Sequence, residues 1–268
     1  MTNTNYLLQR LHEICSEGRI ALCGYFLAGY PTPDAFYRMV RAARDLDVIE
    51  FGIPADVPAL DGPVIANAHE IVTRERGIHA EPALALIGGL AEQPQPRFVM
   101  TYTSEGRALD GFLRLCVKSG VHGVLVPDID LNEGAMVATQ ARNLGLASIT
   151  LLDIRADEQH VRWSAEYGDV VYLKAAAGQT GGTLSFDEQV RAGLRQTIEQ
   201  LKAFQPEIGV AVGIGLQTPE QVQQLATFNV DMAVFGTKLV ENLSQGENAL
   251  ARYIQSLKAA TARPHHSV

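Results

Sequence analysis

The chain has 268 residues, 47% of them hydrophobic and 19% charged, and a formal net charge of −8. That length and apolar content allow one large core and exclude wholesale disorder. The acidic balance argues against a general nucleic-acid or membrane-surface binder, which needs a basic face; an anionic substrate stays open if backbone amides hold it.

Cys15, Cys23 and Cys116 are odd in number and far apart, with no Cys-x-x-Cys and no Cys/His pair at ligand spacing. Neither a zinc site, nor any other metal, nor a disulfide framework is expected, and reduced thiols in a cytoplasmic protein are the default. The first residues lack the basic and apolar regions of a signal peptide, and no run of roughly eighteen apolar residues is present to span a membrane.

In chain order, Leu7, Leu8, Leu11 and Ile14 recur at helical spacing and predict an N-terminal amphipathic helix ending near Gly18. Ile20 to Leu27 reads as the first strand. Thr32 and Asp34 are N-cap candidates for a helix to about Asp45, with Phe36, Met39, Val40 and Ala43 on one face. Val48 to Phe51 is the second strand, ended by Gly52 and Pro54. A helix is expected from about Val64 to Arg76, and another over 80–92. Arg97 to Tyr102 is the third strand, and Leu109, Phe112, Leu113 and Cys116 stripe the next helix. Gly123 to Pro127 is strand four, with a helix around 132–144. Ala147 to Leu152 is strand five, with a helix around 156–167. Val170 to Leu173, Ile208 to Val212 and Met232 to Phe235 are the last three strands, and a helix over 246–259 follows.

Strands that are apolar throughout, such as Gly123-Val124-Leu125-Val126, are buried on both faces, which means a parallel sheet. Eight of them alternating with helices, without a linker or composition break, predict a single α/β domain, a (β/α)8 barrel over 1–260 with an additional N-terminal helix; an open doubly wound sheet is the second choice. Residues 261–268, with Pro264-His265-His266, are expected to fray.

In such a barrel, chemistry belongs to the loops at the carboxyl ends of the strands. Glu50 sits at the end of strand two, where a carboxylate must be paired or employed, and Asp61 follows in the same loop. Two carboxylates there suit acid/base work. Structural readings stand beside this one: Glu50 can be salt-bridged, and Asp-Gly is a frequent turn. Three glycine-bearing turns follow strands six to eight, at Ala177-Gly178-Gln179-Thr180-Gly181-Gly182, Val212-Gly213-Ile214-Gly215 and Phe235-Gly236-Thr237. Glycine lets backbone N–H groups approach an anion, and the last two turns each open a helix, so a phosphate site is expected across them. Among the histidines, His160, His265 and His266 read as surface residues, His79 and His122 stay undecided, and His12 and His69 lie in helices where packing or exposure is the simpler reading.

With these blocks in place the chain resembles the tryptophan synthase alpha subunit family over nearly its whole length. The carrying motifs are Phe26-Leu-Ala-Gly-Tyr-Pro31, Ile49-Glu-Phe-Gly-Ile-Pro54, Asp61-Gly-Pro63, Gly123-Val-Leu-Val-Pro-Asp128, Ala177-Gly-Gln-Thr-Gly181, Val212-Gly-Ile-Gly215 with Thr218-Pro-Glu-Gln-Val222, and Gly236-Thr237. Their order and spacing are specific together, though each is weak alone. The resemblance implies an aldol lyase that cleaves indole-3-glycerol phosphate to indole and glyceraldehyde 3-phosphate, without metal or organic cofactor. By position it makes Glu50 the general acid/base and Asp61 the acceptor of the indole N–H. Gly181, Gly215, Gly236 and Thr237 become the phosphate cradle, Thr180 a loop residue that helps close the site, and Tyr25 and Tyr102 side chains of the indole pocket.

The departures from the family pattern are local. Val57 stands where an Asp is usual, the Asn-Pro turn after strand three is replaced by Thr103-Ser104-Glu105-Gly106, Ala176 replaces an Arg, and Leu27 a Thr. The loops around Val57 and after strand three usually face the beta subunit that consumes indole, so their change implies a form that works alone or with a dedicated partner. A related lyase or isomerase on another phosphorylated substrate, and a non-catalytic barrel serving another subunit, are the alternatives.

Overall fold

In a computed structural model that describes residues 5–105, 109–175 and 182–264, eight parallel strands close into a barrel in sequence order. They are β1 (Ala21–Leu27), β2 (Val48–Gly52), β3 (Arg97–Met100), β4 (Gly123–Leu125), β5 (Ala147–Asp153), β6 (Val170–Lys174), β7 (Gly209–Gly213) and β8 (Met232–Phe235), with β8 returning to pair with β1. The single (β/α)8 barrel expected from the alternation is what forms.

Helix α1 (Tyr6–Ser16) closes the amino-terminal end. Its stripe of Leu7, Leu11 and Ile14 is fully buried against Ala21, Cys23, Phe98 and Val170 inside the barrel. Around the outside run α2 (Pro33–Ala42), α3 (Pro63–Glu70), α4 (Ala80–Gly88), α5 (Leu109–Lys118), α6 (Leu131–Asn143), α7 (Glu158–Tyr167), α8 (Glu188–Phe204), α9 (Pro219–Leu225), α10 (Thr237–Leu243) and α11 (Glu247–Lys258). Of the two cap candidates for α2 it is Thr32 that caps, its hydroxyl accepting from the Ala35 amide at 3.2 Å, while Asp34 lies in the first turn. The helix expected from Val64 to Arg76 keeps α geometry only to Glu70 and widens to a π-helical turn over Ile71–Glu75, which leaves both Val72 and Thr73 buried.

Alternation along each strand sorts the core into two layers. In β2, Ile49 and Phe51 pack outward with helix residues such as Phe36 and Val40, whereas Val48 packs inside the barrel. Glu50 shares the inward parity of Val48. The register sets it beside Tyr25 of β1 and Phe98 of β3.

The stretch read as a loose tail begins bonded to the amino-terminal end of the barrel. Ala262 bridges Arg19, the Arg263 amide donates to Gly18 O at 2.8 Å, and the Arg263 guanidinium donates to Val230 O at 2.6 Å. His265 to Val268 lie outside the described residues. Among the described residues, no helix is long and apolar enough to cross a membrane.

Candidate active site

A cavity opens at the carboxyl end of the barrel, enclosing about 510 Å³ with its open mouth included. Glu50 and Asp61 both line it, with Tyr25, Ile65, Met100, Leu125, Leu151, Tyr172 and Ile214 among their neighbours. Glu50 reaches it because the pleat turns the middle residue of β2 inward; Asp61 reaches it because the irregular chain from Ile53 to Gly62 folds back over the barrel before Pro63 starts α3. Apolar side chains surround Glu50, and it is 4% exposed. Burial pushes its carboxyl up to about 8, and the nearby negative charge of Asp61 adds to the rise.

Asp61 has a different environment. The Tyr102 phenol donates to its Oδ2 at 2.7 Å, and the same phenol oxygen accepts from the Leu60 amide at 3.3 Å. Burial and the Asp61 charge hold the Tyr102 phenol far above its ordinary value, so it stays a donor. His69 Nε2 lies 3.6 Å from the same Oδ2 and 3.4 Å from the Tyr25 phenol oxygen.

Two of the tyrosines at the cavity lean over glycines of neighbouring strands. A Cβ at Gly52 would sit 2.1 Å from the Tyr25 phenol oxygen, and one at Gly213 would sit 2.0 Å from that of Tyr172. Both glycines therefore make room for a phenol rather than for a turn.

The far end of the cavity runs into a second recess that shares Tyr172, Ile214 and Gly236 with it and adds Gly182, Gly215, Leu216, Gln217, Thr237 and Lys238. Gly215 is left-handed, with φ 92°, and its carbonyl accepts from the Leu184 amide at 2.8 Å. The helix that opens here without a side-chain cap is α10, starting at Thr237. The expectation that α9 lends free amides to an anion is corrected. Thr218 and Gln221 form a capping box, and Gln221 Oε1 accepts from the Gln217 and Thr218 amides at 2.6 and 3.0 Å, so the start of α9 satisfies itself. Lys238 is paired with Glu241 at 3.0 Å, which leaves main-chain groups as the distinctive lining of this recess.

A recess lined by glycine turns and a helix start, joined to an apolar cavity with two unlike carboxylates, fits the resemblance read from the motifs. Residues 11–267 match the family described as "Tryptophan synthase alpha chain". The chain belongs to that family. Tryptophan synthase alpha chains cleave indole-3-glycerol phosphate to indole and glyceraldehyde 3-phosphate and pair with a beta subunit. Similar relatives include the tryptophan synthase alpha chain of Maridesulfovibrio salexigens, 29% identical over 91% of this chain and 95% of that one, and that of Arabidopsis thaliana, 27% identical over 97% and 96%. A chain of Mycobacterium tuberculosis tryptophan synthase superposes with a TM-score of 0.85 at 26% identity, covering 96% of this chain and 98% of that one.

Within this alpha-chain barrel, Glu50, Asp61, Tyr25 and Gly236 come together on one cavity, and Gly215 and Thr237 join Gly236 in the adjoining recess. Tyr102 is not on the cavity wall: β3 ends at Met100, which takes the lining position, and Tyr102 stands behind Asp61 as its hydrogen-bond donor. Thr180, Gly181 and Ala176 lie outside the described residues. Val57, where the family carries an Asp, is 70% exposed. The replaced turn after β3 is fastened through Thr103, whose amide and hydroxyl donate to Asp128 at 2.9 and 2.8 Å.

Sequence reasoning did not single out Tyr172, and it read His69 as a helix residue serving packing or exposed to solvent. Counting inward positions along Val170-Val171-Tyr172 would have placed Tyr172 in the barrel, since Val170 is interior. No comparable signal existed for His69, because its neighbours are set by how the β2–α3 loop folds.

Proposed function

We propose that this chain cleaves indole-3-glycerol phosphate by general acid/base catalysis, with Glu50 as the proton shuttle and Asp61 as the anion facing the indole N–H. The observation that carries this reading is the unlike surroundings of two carboxylates on one cavity. Glu50 is held in apolar surroundings with its carboxyl raised to about 8, so near neutral pH it has a proton to give. Asp61 accepts a hydrogen bond from Tyr102, which favours its ionised form.

Protonated Glu50 delivers its proton to C3 of the indole ring, and the positive charge that develops is shared with the ring nitrogen, whose N–H points at Asp61. Glu50, now a carboxylate, takes the proton of the hydroxyl on the carbon attached to C3. The bond between that carbon and C3 breaks, its electron pair returns to the ring as neutral indole, and the former hydroxyl carbon becomes the aldehyde of glyceraldehyde 3-phosphate. Glu50 ends as it began. The protein itself only gives and takes protons while the indole ring receives the electron pair, so the steps call for no metal or organic cofactor. The ester phosphate is gripped at the recess of Gly215, Gly236 and Thr237, while Tyr25 and its apolar neighbours hold the ring; the family resemblance assigns Gly181 to the same cradle and Thr180 to closing the site. Residues 1–260 act as one domain, in the cytoplasm.

Indole release by purified protein tests the assignment. Glu50→Gln and Asp61→Asn should each lower kcat by about 10²- to 10⁴-fold; wild-type turnover in either variant removes that residue's role. If the wild type cleaves other aldol phosphates but not indole-glycerol phosphate, a related lyase is the better description.

A further inference from the structure

One nitrogen of the His69 ring faces the carboxylate and a phenol of the cavity and the other holds the β2–α3 loop, although the ring itself does not line the cavity. The side chain is 1% exposed. The Ala55 amide donates to Nδ1 at 2.9 Å, so the neutral ring carries its proton on Nε2. That N–H faces the Tyr25 phenol oxygen at 3.4 Å and Asp61 Oδ2 at 3.6 Å, with the ring edge-on to Tyr102 at 6.4 Å between centroids. A buried polar ring at this helix position is costlier than the Leu or Ala that packing alone would accept.

We infer that His69 is a positioning residue: Nδ1 tethers the β2–α3 loop at Ala55, and Nε2–H aligns the Asp61 carboxylate and the Tyr25 phenol at the indole end of the cavity. This rests on the role proposed for Asp61. The chain between Ile53 and Gly62 has no regular structure, and the bonds that fasten it include Ile53 N to Met100 O at 2.8 Å, Asp61 N to Pro58 O at 3.1 Å, Leu60 N to the Tyr102 phenol at 3.3 Å, and Ala55 N to His69 Nδ1 at 2.9 Å. The last of these comes from α3, two turns beyond Asp61, so loop and helix share one anchor. Burial pushes the imidazole down to about 4. It is therefore a neutral donor near pH 7, which orients Asp61 without cancelling the charge needed opposite the indole nitrogen. The two Nε2 contacts are longer than good hydrogen bonds, as is common before substrate closes a site.

Two variants separate the tether from the alignment. His69→Asn keeps an acceptor at the Nδ1 position for Ala55 but loses the Nε2 donor; His69→Gln keeps a donor reaching the Nε2 position but loses the tether. Among the described residues, the titratable groups that face Asp61 include Glu50 of β2, Tyr25 of β1, Tyr102 beyond β3, Tyr172 of β6 and His69 of α3. Loss of a donor to the ionised form raises a carboxyl. His69→Asn should keep a melting temperature near the wild type, lose about 10- to 100-fold in kcat for indole release, and shift the acid limb of its kcat/KM profile upward. His69→Gln should melt lower yet retain more of kcat and the wild-type acid limb. Wild-type kcat in His69→Asn, or a loss in both variants that tracks melting temperature with no shift of the acid limb, overturns the inference. A wild-type chain that releases no indole removes the underlying reading as well.

Discussion

Glu50 is the residue whose environment costs the most and gives the most. Its folded-state carboxyl is raised from the ordinary 4.5 to about 8, so between those values the folded chain holds a proton that the unfolded chain has lost. Stability from this group is full below about pH 4.5 and falls as pH rises through about 8, by on the order of a few kcal/mol. Glu50→Gln does not titrate. Its melting temperature relative to wild type should therefore climb between pH 5 and pH 9, while its activity collapses; a constant difference across that range would mean the carboxyl is not raised. In the active enzyme the same proton is lost near pH 8, which places the basic limb of kcat/KM there.

At the scale of elements, the turn after β7 concentrates the strain. Ile214, β-branched, is held at φ 66°, and Gly215 follows at φ 92°. Such conformations are costly for branched residues and persist where the surroundings enforce them. Ile214 lies at the junction of the apolar cavity and the phosphate recess, so the turn serves both ends of the substrate. A Cβ on Gly215 would stand 2.6 Å from the Leu184 amide nitrogen, a backbone atom that cannot swing aside. Gly215→Ala should raise KM for the phosphorylated substrate by at least about tenfold, with a smaller change in kcat, since it disturbs the grip and not the proton transfer. A KM unchanged within error would move the phosphate site elsewhere. The capped start of α9 gives a matching expectation: Gln221→Ala should lower stability by at least about 1 kcal/mol, since the side chain caps α9 and also donates to Leu184 O at 2.7 Å.

Across the whole molecule the two ends of the barrel divide the work. The carboxyl end carries the cavity, and the amino-terminal end carries ties that only hold. Asp231, just before β8, pairs with Lys202 at 3.0 Å and accepts from the Val210 amide at 2.8 Å, while Arg263 approaches its other oxygen at 3.6 Å. Asp231→Ala leaves Lys202 and that amide without their buried partner and should cost about 3–5 kcal/mol in denaturant unfolding, with kcat unchanged where the protein is folded. Partner docking belongs to this scale too. Exposed Val57 replaces an acidic side chain on the surface that family members turn toward a beta subunit, so adding a standard beta subunit should activate indole release weakly, by less than about tenfold. Strong activation would show that the altered loops still dock.

Much of the barrel was readable in the chain because its signals are local. Strands apolar on both faces, glycine and proline stops and helical stripes depend on near neighbours, and they located all eight strands and the inward-facing Glu50. Motif order carried the family, and with it the separate roles given to Glu50 and Asp61. What escaped depended on groups distant in sequence meeting in space. That Tyr102 backs Asp61 instead of lining the cavity, that Thr218 and Gln221 satisfy α9, that the chain beyond Thr261 is tied to Asp231 and Gly18, and that a helix histidine faces the reacting end are all set by packing of one loop against another. Periodicity fixes which side of an element a residue occupies; only closure of the barrel fixes what it meets there.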